Sequence, residues 1–335
     1  MTKRIVHIFI IAFLACMMLG SCRDKRNFDE LDNEEKLELL DAKIRQHPKD
    51  AMLYYQRGQV LLALEDVNGA IRDFSKAVEL DDDEVEYYTA LGDAYFRNGK
   101  VESSYNTLNK ALALDENNLD ALSKMGEILF YSKDYDRAME TLSKVTAIDP
   151  NNRTAFMMKG FMYKEQGDTA NAVHYFHKVI DLYPEFAPAY EELGVLYAQH
   201  HNVLGVEYLT TALELEPNNI NALYAMGMLY QELEEADKAS EYYTRILEID
   251  PHYAEAWFNR GYMELVLYQD FDNAVEFFGK AVECNSLYVD AHYNRGVAFE
   301  QKGDKTNAAI CFHSALDIDP SYQPAIDALA RIGKK

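Results

Sequence analysis

The sequence predicts an all-α chain, an α-α superhelix of eight helical hairpins with a capping helix at each end, and three observations carry that prediction. Half of the 16 glycines, Gly58, Gly92, Gly126, Gly160, Gly194, Gly227, Gly261 and Gly296, recur at spacings of 34, 34, 34, 34, 33, 34 and 35 residues. Eleven to thirteen residues after each glycine stands a second small residue (Ala70, Ser104, Ala138, Ala172, Gly205, Ala239, Ala274, Ala308), and four further on a large apolar one (Phe74, Leu108, Leu142, Phe176, Leu209, Tyr243, Phe278, Phe312). Five periods then close on Pro150, Pro184, Pro217, Pro251 or Pro320.

Each observation has a physical reading. A glycine inside a helix costs about 1 kcal/mol against alanine, so eight on one grid need a packing reason, and close helix contact supplies it. Residues four apart share a helical face, which makes the small and large residues one face of a second helix. Gly99, Gly167 and Gly303 fall between the two helices, where a left-handed turn residue is needed. Proline cannot continue a helix already under way, so it ends each unit.

The N-terminus reads as an address. Lys3 and Arg4 precede an apolar run from Ile5 to Leu19 interrupted only by His7, too short to span a bilayer as a helix. Leu19-Gly20-Ser21-Cys22 resembles the lipobox of bacterial lipoproteins. That resemblance implies residues 1–21 as a signal peptide, lipid attachment at Cys22 and a membrane anchor made durable by buried acyl chains. Residues 22–30 follow as a tether, in which Arg23, Lys25 and Arg26 stand close to the headgroups. No acidic run follows Cys22, which favours an outer-membrane location facing the periplasm.

Residues 31–50 are expected to hold an N-terminal capping helix, Leu31 to Gln46, with Leu37, Leu40 and Ile44 on one face. The hairpins are expected at 51–84, 85–118, 119–152, 153–186, 187–219, 220–253, 254–288 and 289–322. A closing helix follows in 323–335, with Ile326, Leu329 and Ile332 inward and Arg331, Lys334 and Lys335 in solvent. With an aromatic four before or three after the glycine, this pattern resembles the tetratricopeptide repeat, and the fourth unit carries it well in Phe156, Gly160, Tyr163, Ala172, Phe176, Val179 and Pro184. The fifth unit is one residue short, the seventh one long with Glu264 at an aromatic place, and the first, second and seventh lack the closing proline.

Composition limits the function. A formal charge of −23 leaves no basic surface for a phosphate backbone, so nucleic acid is excluded as a partner. No Ser/His/Asp order, phosphate-cradling glycine loop or metal-spaced cysteine pair is present, so no catalytic residue, metal ligand or cofactor is assigned. His174 and His177 share a face, with His200 and His201 in the next turn, and read as solvent-facing polar residues. Cys284 occupies a place held elsewhere by Leu80, Leu114, Ile148, Leu182, Leu215, Ile249 and Ile318, and reads as a buried small hydrophobe. It is too far from Cys311 for a disulfide.

The candidate site is a groove. Positions six before, three before, one after and four after each glycine share a face turned away from the second helix, and the resemblance implies that this face lines a concave groove. It carries Met157, Phe161, Tyr224, Met228, Phe258, Tyr262 and Tyr293 in later units, and Glu86, Asp93, Asp120 and Glu127 in earlier ones. Methionine and aromatics adapt to peptide side chains, and carboxylates attract basic ones. Asn259 and Asn294 could hold a peptide carbonyl, while Arg260 and Arg295 read as members of salt bridges. The lysine and asparagine clamp of some tetratricopeptide proteins does not occur at these positions. Protein or peptide partners with basic or aromatic segments are therefore expected. Two readings stay open: an adaptor binding through the groove, and a fixed subunit of an envelope machine joined through its convex face. A metal-dependent enzyme is the least supported.

Overall fold

The computed structural model describes residues 28–199 and 202–333. The expected signal peptide, Cys22, the His200-His201 pair and Lys334-Lys335 lie outside the described residues. The chain divides into two compact units on either side of the Pro150–Asn151 junction. The first holds α1 (Asn33–Gln46), α2 (Ala51–Ala63), α3 (Val67–Leu80), α4 (Val85–Arg97), α5 (Val101–Leu114), α6 (Leu119–Tyr131) and α7 (Tyr135–Ile148). The second holds α8 (Arg153–Glu165), α9 (Thr169–Leu182), α10 (Ala187–Gln199), α11 (Leu204–Leu215), α12 (Ile220–Glu232) and α13 (Ala236–Ile249). It continues with α14 (Ala254–Met263), a π-helical turn (Glu264–Tyr268), α15 (Phe271–Cys284), α16 (Val289–Gln301), α17 (Lys305–Ile318) and α18 (Gln323–Ile332). No strand occurs among the described residues, and each unit is a run of stacked helical hairpins.

The glycine grid is a row of notches. A Cβ built on Gly160 would lie 2.6 Å from the Phe176 ring, and one on Gly227 2.6 Å from Tyr243. Both rings are fully buried, so there is no room to yield. The partner is in every case the large residue of the second helix, and the small residue four before it is buried beside it. Ser104, the polar exception, donates its hydroxyl to the Gly92 carbonyl at 2.5 Å.

Local signals start and stop the helices. Asn118, Asn152 and Asn219 accept from backbone amides three residues on and cap first helices, while Asp66, Asp168, Asp270 and Asp304 do the same for second helices. Such a cap is worth about 1 kcal/mol. The turns between helices place Gly99, Gly167 and Gly303 at φ between 74° and 81°. Glu65, Lys133, Glu234 and Gln269 take the equivalent place with φ of 54° to 64°, a conformation that disfavours side chains. Second helices that lack a closing proline stop as the others do. The amides of Asp81, Asp115 and Asn285 bond back to Ala77, Ala111 and Ala281, matching Asp149 to Val145.

The end helices show how phase overrides composition. Asp32 and Glu35 form a reciprocal capping box, so α1 begins at Asn33 rather than Leu31, and Leu40 and Ile44 bury against Leu53 and Val60. In α18 the buried residues are Ala325 and Ala328, with Leu329 and Ile332 packed alongside, while Ile326, expected inward, is 39% exposed. The extra residue of the seventh unit is absorbed in the π turn, which follows Gly261 and leaves its notch against Phe278 in place.

Candidate binding surface

The second unit's first helices α8, α12, α14 and α16 carry the predicted apolar positions, and most of these side chains are engaged in packing. Met157 is buried in the cluster of Phe156, Phe176, Ala189 and Leu193, so it belongs to the core and not to a groove. Phe161 sets its ring edge-on to Phe176, with centroids 5.4 Å apart. Tyr224, Phe258 and Tyr293 each rest on the large ring of their own hairpin and on the tyrosine that opens the next one. Those second contacts, Tyr253, Tyr288 and Tyr322, lie at 6.0, 4.9 and 5.6 Å. Tyr262 is the exposed member of the set.

The asparagines also turn inward. Asn259 is buried and donates its amide to the Tyr224 hydroxyl at 3.3 Å, with Met228 Sδ at 3.6 Å. Asn294 donates to the Asp290 carbonyl one turn back at 2.8 Å. Both amides therefore fix this surface instead of waiting for a peptide carbonyl.

The acidic positions of the first unit divide into two kinds. Asp93 is nearly buried between Arg97 and Lys124, each 2.8 Å away, and Lys124 also reaches Glu127 at 3.9 Å. Its charge is spent inside the chain. Glu86 and Asp120 are exposed and act together on Tyr55, whose hydroxyl is pushed up first by burial and then by these two carboxylates. Tyr55 stands three before Gly58 and rests on Tyr87 at 5.1 Å, on the same predicted face as Glu86 and Asp120 six before their own glycines.

Two hollows open where the second unit's first helices face one another. Between α10 and α12 lies one of about 350 Å³. Its walls are Val195, Ala198, Tyr224, Ala225, Met228 and Leu229, and its polar groups are Gln199, Asn221 and Glu232. Nearby, Glu191 is raised above the usual carboxylate range mainly by burial, while Asn219 donates to it at 2.8 Å. A second hollow, about 410 Å³, has Tyr293 and Asn294 on one side and Leu265 and Val266 on the other.

The register could have found the first hollow. Val195 stands one after Gly194, Ala198 four after it, and Asn221 six before Gly227, all on the predicted face. None of the three is an aromatic or methionine, the residue types that mark the other groove positions.

Other expectations are corrected. Arg260 and Arg295 leave their Nε atoms without a hydrogen-bond partner and lay their guanidinium groups on rings, Arg260 on Phe277 at 4.4 Å and Arg295 near Phe299 at 5.8 Å. They are stacked rather than bridged, and burial lowers the Arg260 pKa. The helix-end place of Cys284 is not buried: Leu114, Ile148 and Ile249 are 39–44% exposed there, and Cys284 is half-buried. Cys284 and Cys311 are free thiols. His177 meets the Tyr208 hydroxyl at 3.2 Å, and His174 sits edge-on to Tyr175.

Comparison with known proteins agrees with this architecture. Residues 84–190 match the family described as the cytochrome c-type biogenesis protein H TPR domain, residues 58–99 a TPR repeat, and residues 205–259 and 269–322 tetratricopeptide repeats. The C-terminal part of a TPR repeat-containing protein from Cytophaga hutchinsonii is 18% identical, with a TM-score of 0.61, covering 73% of this chain and 99% of that one. A tetratricopeptide repeat protein from Parabacteroides merdae is 16% identical at a TM-score of 0.54, covering 75% of this chain and 99% of its own. Pseudomonas aeruginosa pilF is 22% identical at 0.54, covering 61% and 93%. No curated protein matches the sequence. No helix among the described residues is long and apolar enough to cross a membrane. A glycine-notched hairpin repeated through both units, matched by four repeat models, has the architecture of a protein-interaction scaffold, and the chain is a tetratricopeptide-repeat protein.

Proposed function

We propose that the chain is a lipid-anchored adaptor of the bacterial cell envelope that holds protein or peptide partners in the grooves of its first helices and performs no bond chemistry. Residues 1–21 are its signal peptide, Cys22 carries the lipid, and residues 22–30 form the tether that lets the repeats face the periplasm from the outer membrane. The lipobox-like Leu19-Gly20-Ser21-Cys22 supports the anchor, and the match of residues 84–190 to a cytochrome c biogenesis TPR domain accords with an envelope role.

The single observation that carries the binding reading is the hollow between α10 and α12. It is apolar inside, has Glu232 among its few polar groups, and is of a size to take one large side chain. Tyr55 with Glu86 and Asp120 offers a second, separate contact of the same chemistry in the first unit. A segment presenting an aliphatic or aromatic side chain beside lysine or arginine suits both.

The test is selection of short arrayed peptides by the full chain purified in detergent. Retained peptides should be basic and carry a large apolar residue. Ala225→Leu, which fills the hollow, should weaken them about tenfold, because a few methylenes in an apolar pocket are worth that much. Equal binding by Ala225→Leu and by the double variant Glu86→Gln, Asp120→Asn would sink the groove and leave the convex-face reading. The anchor is read separately: Cys22→Ala should abolish incorporation of labelled palmitate, and persistence of the label would refute it.

A further inference from the structure

The seventh hairpin differs from the other described ones at the end of its first helix. Its first-helix segment runs on through Tyr268 as a π turn, and Gln269 then adopts φ 54° before Asp270 caps α15. The inserted residue leaves Val266, Leu267 and Tyr268 at 46%, 47% and 44% exposure. No other run of three consecutive large apolar side chains is exposed among the described residues. Such turns cost helical hydrogen bonding and concentrate at functional sites.

Two clefts meet at Tyr268, on the second-helix side and away from the α10–α12 hollow. One, of about 650 Å³, runs along α13, and the other, of about 750 Å³, lies over the turn that precedes it. Tyr268 is tied between them, its hydroxyl donating to Asp237 at 2.6 Å, and this bond with burial pushes its pKa up to about 12. The clefts are lined by six carboxylates, Glu234, Glu235, Asp237, Glu241, Glu248 and Glu264. Against these stand only Arg245, which donates to the Pro217 carbonyl, and Lys238, which is paired with Glu235.

We infer that the π turn is a second docking surface, taking a basic amphipathic segment of another protein. Leu267 and Tyr268 supply the apolar contact and the carboxylates of α13 receive the lysine or arginine side chains. Charge complementarity selects this partner: an acidic segment would meet like charge along α13 and the turn before it. The surface is independent of the first-helix groove, and its occupant need not be the groove's.

The probe is a fluorescein-labelled amphipathic peptide of leucine and lysine, with a leucine and glutamate peptide of the same pattern as control, titrated against the full chain by anisotropy. The lysine peptide should bind and the glutamate peptide should not. Leu267→Ser should weaken binding about tenfold, and Leu267→Lys more than that. Both changes fall on an exposed side chain, and an unchanged melting curve checks the fold. Glu241→Gln with Glu248→Gln should lower affinity and flatten its salt dependence. Leu287→Ser, at a 70% exposed leucine elsewhere, should change nothing, and the titrations are repeated in the Ala225→Leu background, where the α10–α12 hollow is filled. Binding that survives Leu267→Ser in the Ala225→Leu background would overturn the assignment by placing the peptide elsewhere on the chain.

Discussion

Hairpin six, α12 with α13, and hairpin seven, α14 through α15, are built on the same plan, a glycine against a large ring and a left-handed residue at the turn. Gly227 faces Tyr243 and Gly261 faces Phe278, while Glu234 and Gln269 both hold positive φ. They differ by one residue, and that residue is taken up beyond the notch, where it changes what the surface offers but not how the helices meet. The notch is the part of the hairpin that cannot stretch, because it lies between buried atoms. The end of the first helix faces water and can.

The largest effect should come from removing the ring. Tyr243→Ala and Phe278→Ala should each cost about 3–5 kcal/mol, read as lost amide-exchange protection in α12 and α14. A loss confined to one of the two would break the equivalence of the hairpins. Next is the opposite error. Gly227→Ala should destabilise by about 1–3 kcal/mol, less the roughly 1 kcal/mol that alanine gains in a helix. Gly261→Ala should cost less, since its Cβ would meet the ring at 2.9 Å instead of 2.6 Å.

A smaller and opposite effect is expected at the turns. Glu234→Gly and Gln269→Gly should each stabilise by about 0.5–1 kcal/mol, because glycine occupies the left-handed region without steric cost. Thermal melts would register it, and destabilisation at Gln269 alone would mean that its side chain holds the π turn.

The smallest effect depends on pH. Arg331 of α18 grips Glu300 of α16 at 2.6 Å and holds its carboxyl below the usual range. A depressed carboxyl stabilises the fold above its unfolded pKa of about 4.3 and loses that contribution as pH falls through the folded value. Arg331→Ala should therefore lower the melting temperature slightly at neutral pH, by about 0.5 kcal/mol equivalent, and not at all in strong acid. An equal loss at both pH values would assign the effect to packing.

The fold was legible because its signal is repeated and steric. Gly58 to Gly296 mark the notches, and the ring or leucine sixteen or so residues on is the side chain that fills each one. The site was less so. Met157 and Tyr224 share a register, yet the first is swallowed by the core and the second borders a hollow, a difference set by neighbours in other helices. Asp93 looked like surface charge, but the lysine that neutralises it, Lys124, lies on the next first helix. The π turn was hidden because a 35-residue spacing announces an insertion without saying where it is absorbed.

Both proposed docking surfaces depend on the notches holding the hairpins in place, and a double-mutant cycle at Gly227 and Tyr243 tests that most directly. If the contact is steric, Gly227→Ala combined with Tyr243→Ala should be less destabilising than the sum of the two single changes by about 1 kcal/mol or more, the truncated side chain making room for the methyl group. Additivity within about 0.3 kcal/mol would show that the glycine and the ring do not compete for the same space, and would contradict the account.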